Sequence, residues 1–410
     1  MMDIKQSRIH IIDGLRGFSL LGILLANMLI FQYGIWGKDQ IQLYAIPPFD
    51  TVTYQLVKIV IEGSFMPIFT FMFGFSMIKM KESLEAKGLG TKRYFARRFL
   101  LLIVLGIIHS EFLWEGDILA FYGMMGFFLL LFMNRKPKTL LVWGVVVLCL
   151  ISLLGLIPAE NNNPEAVADQ ARMEAYVQKT MTVYGTGTYD EISHHRKNED
   201  PLGLPDYVMA VILLLAPIMT VPMFLFGMYA AKARWFEKPD EERASYLTKM
   251  IIFLPIGLLL KSVKVLAPGY WWSGVGDISG GVILAIGYLF AFVWLFSKSE
   301  SSAWLLRFQA VGKLSLTNYL LQTVICTTIF YGYGLGLFGK LGVLAGCGLA
   351  LVIYGVQLFV SPMYLKQFRY GPVERLLRMS TNFSWSGSPK PKQLPEKPMS
   401  LYSKEGRESG

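Results

Sequence analysis

The stretch that decides the fold of this chain is RRFLLLIVLGIIHSEFLWEGDILAFYGMMGFFLLLFM, residues 97–133. Each of its two apolar runs approaches the roughly 20 residues that a helix needs to cross the hydrocarbon core of a bilayer, about 30 Å thick. Ionisable groups are costly in or near lipid, so a cluster of them at the joint of two such runs is a candidate functional site. The joint contains His109, Glu111, Glu115 and Asp117.

The composition indicates a membrane protein with several spans. Of 410 residues, 53% are hydrophobic and 17% are charged, and the mean hydropathy of +0.44 is too high for an ordinary soluble domain. The net charge of +10 does not predict nucleic-acid binding, because Lys and Arg gather in alternate loops. The three cysteines lie inside apolar runs, so no disulfide is predicted. Phosphate-loop, nucleophile-elbow and HExxH motifs are absent.

Hydropathy predicts an all-α helix bundle, a polytopic integral membrane protein with about ten transmembrane helices. Every second loop is basic, so the positive-inside rule places both termini in the cytoplasm and predicts a multi-pass protein of the plasma membrane. The joint at 109–117 and the polar segment 159–206 then face outward. The predicted spans are 12–33, 60–79, 96–113, 117–133, 139–158, 207–231, 248–266, 277–297, 314–336 and 342–365.

The polar segment 159–206 separates two sets of five predicted spans. Within it, the sequence of residues 164–179 favours a short helix. This part of the segment either caps the outer face of the bundle or is a mobile, solvated loop. The pattern of apolar and basic residues at 372–379 predicts an amphipathic helix on the inner membrane surface. The predicted parts are a cytoplasmic N-terminus (1–11), an N-terminal transmembrane part (12–158), the extracytoplasmic segment (159–206), a C-terminal transmembrane part (207–380) and a disordered cytoplasmic tail (384–410).

The joint is the best chemical candidate. His109 lies near the outer end of the third predicted span and Asp117 begins the fourth, so their side chains can approach across the turn. A carboxylate beside an imidazole raises its basicity and fixes its tautomer. With Glu115 nearby, such a pair fits a general base, a proton relay or half of a metal site, and a purely structural pair at the membrane interface fits the pattern equally. No metal site is predicted, because the residues are too few and too loosely spaced.

Few polar residues lie inside the predicted spans. Arg16 follows Asp13 by three positions, so the two share a helix face and form either an inner-surface anchor or part of a binding site. Asn318 and Gln322 are four apart and form a polar stripe, and Asn27 lies deep in the first span. We expect these residues to line a substrate path or to bind a donor. Hydrogen bonding between helices is the alternative role for the amides.

Several motifs together resemble the YeiB-like family of bacterial multi-pass membrane proteins, whose C-terminal half is known as domain of unknown function 418. The resemblance covers nearly the whole chain except residues 159–206 and the tail. It rests on IIDGLRGFSLLGILLANM (11–28), FTFMFGFSM (69–77), IIHSEFLWEGDILAFYG (107–123), GKLSLTNYLLQTVICTTIFYGYGLGLFG (312–339) and RYGPVERLLR (369–378).

The fold of this family is similar to that of the transmembrane acyltransferase superfamily, which includes the lysosomal heparan-glucosaminide acetyltransferase. The resemblance implies transfer of an acyl group from cytoplasmic acyl-CoA, as donor substrate rather than resident cofactor, to a small-molecule or glycan acceptor outside. His109 would be the base and Asp117 its orienting partner. The acetyltransferase carries its catalytic histidine ahead of the second span, whereas residues 34–62 here contain none. A transporter that uses the same residues as a proton relay and a non-catalytic scaffold remain the alternatives.

Overall fold

The computed structural model of the chain describes residues 10–157, 164–205, 207–208, 216–298 and 302–387. All regular secondary structure in these ranges is helical. The first half contains α1 (His10–Tyr33), α2 (Pro48–Leu56), a π-helical turn (Val57–Ile61), α3 (Phe65–Glu85), α4 (Thr91–Phe112), α5 (Leu119–Leu129), α6 (Pro137–Leu153), α7 (Pro164–Thr186) and α8 (Tyr189–Asn198). The second half contains α9 (Val221–Lys232), α10 (Arg243–Leu266), α11 (Ser273–Phe296), α12 (Ala303–Lys313), α13 (Ser315–Phe330), α14 (Val343–Gln367) and α15 (Pro372–Asn382).

The protein is a polytopic helical membrane protein, as the sequence predicts. In the described ranges, five helical segments are long and apolar enough to cross a bilayer, namely His10–Tyr33, Pro48–Glu85, Pro137–Leu156, Ser273–Phe296 and Val343–Gln367. Large apolar side chains such as Trp143 on α6 and Phe359 on α14 are exposed on the outside of the bundle. A surface of this kind suits lipid rather than water. The number of spans and their orientation stay predictions.

Two predicted spans differ from the observed helices, and a third lies partly outside the described ranges. The span predicted at 117–133 is α-helical only from Leu119 to Leu129, about 16 Å at 1.5 Å per residue. The span predicted at 314–336 ends at Phe330, because a Gly-rich segment follows in which Gly336 has a positive φ of 63°. In the span predicted at 207–231 the described α-helix is α9, and residues 209–215 lie outside the described ranges.

Helix α1 lies against α12 at a very short distance. A Cβ atom on Gly17 would lie 2.0 Å from the carbonyl oxygen of Phe308, and one on Gly312 would lie 1.9 Å from that of Asp13. Only glycine permits such an approach, and small residues commonly allow membrane helices to pack this closely. The contact fixes the position of Arg16, which lies one residue before Gly17 on the same helix.

The polar segment 164–205 packs on the bundle through two helices. The short helix predicted at 164–179 extends to Thr186 as α7, and α8 follows after a capping box formed by Thr188 and Glu191. The Tyr189 hydroxyl donates to the carbonyl oxygen of Phe112 at 2.8 Å, and the Arg196 guanidinium donates to that of Glu111 at 2.7 Å. These groups satisfy carbonyls at the C-terminal end of α4 that have no partner within the helix. The segment therefore caps one end of α4.

We predict that Arg196→Leu loosens α8. The substitution removes the guanidinium that donates to the Glu111 carbonyl, and such a hydrogen bond contributes about 0.5–1.5 kcal/mol. Hydrogen exchange of residues 189–198 should become faster, and the midpoint of thermal unfolding in detergent should fall. Lys197→Leu is the control, because Lys197 makes only an exposed ion pair with Glu111 and such pairs contribute about 0–1 kcal/mol. Equal effects of the two variants would contradict the assignment of Arg196 as an anchor.

Candidate functional site

His109 and Asp117 form a buried pair. The His109 Nδ1 atom lies 2.9 Å from the Asp117 Oδ1 atom, and the two side chains are 2% and 3% exposed. The other carboxylate oxygen, Oδ2, accepts the backbone N–H of Ala120 at 2.9 Å and so caps the first turn of α5. Both oxygens of Asp117 are therefore held in place. The approach across the turn that the sequence predicts is present, while the catalytic role of the pair stays a prediction.

The pairing fixes the tautomer of His109. An ionised carboxylate only accepts hydrogen bonds, so Nδ1 is the protonated nitrogen and Nε2 carries the lone pair of the neutral ring. The Nε2 atom is buried and has no hydrogen-bond partner in the described part of the protein. The Tyr319 ring lies beside the imidazole, with 5.5 Å between the centroids, and its hydroxyl donates to the Gly116 carbonyl at 3.3 Å. An oriented imidazole with a free Nε2 is the arrangement that general-base catalysis requires.

Gly106 makes the pair possible. A Cβ atom at this position would lie 2.1 Å from the Ala120 amide nitrogen and 2.5 Å from the Asp117 Oδ2 atom. The absence of a side chain lets α4 approach the start of α5 closely enough for His109, one turn further along α4, to reach Asp117.

We predict that Gly106→Val separates the pair and destabilises the protein. The new side chain meets backbone as well as carboxylate, so α5 must shift, and overpacking of this kind costs about 1–3 kcal/mol. A lower midpoint of thermal unfolding checks this. Gly348→Val is the control. Gly348 is also helical, but no atom outside its own helix turn lies within 4 Å of a Cβ placed there. An unchanged midpoint for Gly106→Val would contradict the close contact.

Within the described ranges, several buried side-chain atoms of residues 109–122 have no hydrogen-bond partner. Besides the Nε2 atom of His109, they are the indole nitrogen of Trp114, the Oε2 atom of Glu115 and the hydroxyl of Tyr122. Buried polar groups are nearly always paired in proteins, so each of these exceptions needs an explanation. These atoms can form hydrogen bonds with a polar ligand.

A basic cavity of about 210 Å³ lies on one side of the loop 113–118. Among the described residues, five cationic side chains and one carboxylate, that of Glu374, line it. Arg16 is one of them, held by Asp13 at 3.1 Å and by the Ser76 hydroxyl at 2.8 Å. The other cations are Arg98, Lys313, Arg369 and Arg378, and the wall also includes Leu102, Leu119 and Tyr122.

An aromatic pocket of about 180 Å³ lies on the other side of the loop, under α7 and α8. Glu115 lines it and accepts a hydrogen bond from the Tyr184 hydroxyl at 3.1 Å, while Arg196 lies 3.8 Å from its other oxygen. Burial and the negative charge of Glu115 raise the pKa of Tyr184 well above its usual value, so the phenol stays a hydrogen-bond donor. The other lining residues include Trp36, Tyr176, Thr180 and Glu199.

The pair lies between these two spaces. Leu119, two residues after Asp117, lines the basic cavity, and Glu115, two residues before it, lines the aromatic pocket. From Arg98 to His109 the α4 helix rises about 16 Å at 1.5 Å per residue. His109 itself lines neither space. Residues on either side of Asp117 therefore line the two spaces, and His109 contacts Asp117 from the end of α4.

The remaining predicted site residues lie elsewhere. Asn318 and Gln322 are buried between α13 and α14, where Asn318 donates to the Ser361 hydroxyl at 3.2 Å and Gln322 to the Gln357 side chain at 2.8 Å. Asn27 is half-buried on α1. None of the three lines the basic cavity or the aromatic pocket. The contacts of the two buried side chains fit hydrogen bonding between helices, and their place in a substrate path stays a prediction.

Sequence reasoning missed several residues of the site. Arg98, Arg369 and Arg378 count in the sequence only as loop charges that set topology, although they converge on one cavity. Tyr184 and Arg196 come from the polar segment, and no local pattern connects them to Glu115. The motif RYGPVERLLR, which contains both Arg369 and Arg378, is the one signal that marks part of this set.

Comparison with known proteins identifies the family but gives no activity. Residues 230–384 match the family described as "Protein of unknown function (DUF418)", a range that includes Lys313, Arg369 and Arg378 but not the His109–Asp117 pair. The uncharacterized protein YeiB of Escherichia coli is 28% identical over 90% of this chain and 95% of its own length. The uncharacterized protein YxaH of Bacillus subtilis is 32% identical over 93% of this chain and 96% of its own length. The chain therefore belongs to the YeiB-like (DUF418) family.

Proposed function

We propose that the protein transfers an acyl group from a cytoplasmic thioester, acyl-CoA, to an acceptor on the opposite side of the membrane. The donor approaches through the basic cavity and the acceptor through the aromatic pocket. The observation that carries the proposal is the His109–Asp117 pair with its free Nε2 atom, placed between these two spaces.

The chemistry needs one base and no external reductant or oxidant. His109 Nε2 takes the proton from a hydroxyl or amine of the acceptor, whose oxygen or nitrogen attacks the thioester carbonyl. The new C–O or C–N bond forms as the C–S bond breaks, and the thiolate of CoA leaves. The imidazolium then returns the proton to the thiolate. Asp117 stabilises the imidazolium and keeps the ring in one tautomer, as the acid does in a Ser-His-Asp triad.

Access to His109 requires a shift of the loop 113–118. The ring lines neither space, and the indole of Trp114 stacks on Phe31 with 4.3 Å between the centroids. Displacement of Trp114 and Glu115 opens the aromatic pocket toward His109, and Leu119 covers the approach from the basic cavity. The buried polar atoms of the loop then receive partners from the substrates.

The test is release of CoA thiol from acetyl-CoA by the purified full chain in nanodiscs, with an extract of the cell envelope as acceptor. We expect acceptor-dependent release by the wild type and a loss of this release in His109→Gln. Absence of acetyl-CoA binding by calorimetry, or release that His109→Gln leaves unchanged, would remove the proposal.

Solute transport is the second candidate, because unpaired polar atoms on both sides of a buried histidine also suit a proton relay. Counterflow of a labelled solute in proteoliposomes separates the two functions. Counterflow that Asp117→Asn abolishes, without any thiol release, would favour transport over transfer.

A further inference from the structure

Among the described residues, the wall of the basic cavity contains more positively than negatively charged side chains. Glu374 is the one carboxylate that the described residues contribute to this wall. It accepts hydrogen bonds from the backbone N–H groups of Leu316 and Thr317 and from the Thr317 hydroxyl at 2.6–3.0 Å. Among described residues, no carboxylate lies within ion-pair distance of Arg98, Lys313 or Arg369. Like charges gathered in a cleft repel one another and attract anions strongly.

Three of the arginines come from different parts of the chain. Arg16 is on α1, Arg98 on α4 and Arg378 on α15, and the charges of Arg16 and Arg378 both act on Arg98. An anion that contacted all three would remove this repulsion and join the three helices. Arginine suits phosphate in particular, because its planar guanidinium donates two parallel hydrogen bonds to phosphate oxygens.

The space around these arginines is large enough for a phosphorylated organic molecule. A second cavity of about 330 Å³ adjoins the basic cavity, and Phe73, Ser76, Arg98 and Arg378 line both. Together they fall in the range of about 300–1,000 Å³ that is usual for small-molecule sites. Lys87 adds a further cation to the second cavity.

Helix α15 forms one wall of this space and is tied to the bundle on both sides of Arg378. Glu374 joins it to the start of α13 as described, and Arg97 on α4 lies over the Phe383 ring at 4.7 Å. Leu377 is buried against the core. Arg378, stacked over Tyr370 at 4.1 Å, is thereby presented to the cavity.

We propose that the basic cavity is a phosphate-binding site in which Arg16, Arg98 and Arg378 hold the phosphate groups of the donor, with α15 as a structural part of the site. The identification of the ligand as the acyl donor rests on the proposed function. The phosphate chemistry itself rests on the arginines and the cavity.

The experiment measures binding to the full chain in phosphatidylcholine nanodiscs by calorimetry and by thermal unfolding. The probes are CoA, inorganic pyrophosphate and S-acetyl-N-acetylcysteamine, a thioester without phosphates. We expect CoA and pyrophosphate to bind competitively and to raise the unfolding midpoint, because a ligand of the folded state stabilises it. The thioester without phosphates should do neither. Failure of pyrophosphate to compete with CoA would overturn the proposal.

Variants locate the site. Arg378→Gln and Arg98→Gln should each weaken CoA binding at least tenfold. Arg375→Gln should change it less than twofold, because Arg375 is exposed on the same helix and lines neither cavity. Arg378 is itself largely exposed, so its variant should fold even if that of Arg98 does not. Equal CoA affinity of the Arg378 and Arg375 variants would contradict the proposal.

Two further results separate this proposal from others. If phosphatidate in the nanodisc raises the unfolding midpoint through the same arginines while CoA does not, a lipid headgroup occupies the site and its assignment to the donor is overturned. Loss of CoA binding in the arginine variants, with transfer unaffected by His109→Gln, would support the phosphate site and contradict the proposed catalysis. Transfer that depends on His109, with normal CoA affinity in the arginine variants, would contradict the phosphate site alone.

Discussion

His109→Gln is expected to lower the rate of acyl transfer by about 10²–10⁴-fold, the range that a positioned general base contributes. Glutamine is close in size to histidine and can still hydrogen-bond to Asp117, but it cannot take up a proton. The Nε2 lone pair is the only part of the site with that ability in the proposed mechanism. The measurement is the initial rate of thiol release from acetyl-CoA, with the unfolding midpoint determined on the same preparation.

His194→Gln is the matched control for that experiment. His194 is exposed on α8, near the aromatic pocket but outside its lining, so its substitution should leave the rate unchanged. A fall in rate for His109→Gln accompanied by an equal loss in His194→Gln would indicate a general defect. A normal rate for His109→Gln in a folded protein would contradict the role of His109 as the base.

Asp117→Asn is expected to lower the rate by about a hundredfold or more while leaving the protein stable. The Ala120 N–H needs an acceptor, which the amide oxygen of asparagine provides. The amide NH2 then faces His109 Nδ1 and must donate to it, which places the proton of the neutral imidazole on Nε2. The substitution thus removes the lone pair from the reacting nitrogen without removing the helix cap.

Comparison with Asp117→Ala separates the two roles of this carboxylate. Alanine removes both the His109 contact and the cap of α5, and loss of such a cap costs about 1 kcal/mol. We therefore expect Asp117→Ala to lower both the rate and the unfolding midpoint, and Asp117→Asn to lower only the rate. If Asp117→Asn retained the wild-type rate, the pair would have only a structural function.

Hydropathy predicts the helices of this protein well, because long apolar stretches have few alternatives to a helix in lipid. The helix bounds of α1, α10 and α14 lie close to those of the predicted spans. Hydropathy fails at α5, where the apolar run continues to Met133 but the α-helix ends at Leu129. Composition does not distinguish a continuous helix from a short one followed by turns.

The His109–Asp117 contact is predictable from sequence because both residues flank one short turn. The two spaces beside it are not, because each combines residues that are distant in sequence. Glu115 contacts Tyr184 and Arg196, which follow it by about 70 and 80 residues in the sequence. Arg16 and Arg378 line the same cavity although they lie near opposite ends of the chain. Only the packing of α1, α4, α7, α8 and α15 brings these groups together.

The most direct measurement uses sealed inverted membrane vesicles that contain the protein, loaded with envelope extract as acceptor. Acetyl-CoA labelled in its acetyl group is added outside, where the cytoplasmic face is exposed and CoA cannot cross the bilayer. We expect label to appear on an acceptor inside vesicles with the wild type and to be absent with His109→Gln. Equal labelling with the two proteins, or labelling only when acetyl-CoA is supplied to the opposite face, would contradict transfer through the His109–Asp117 pair.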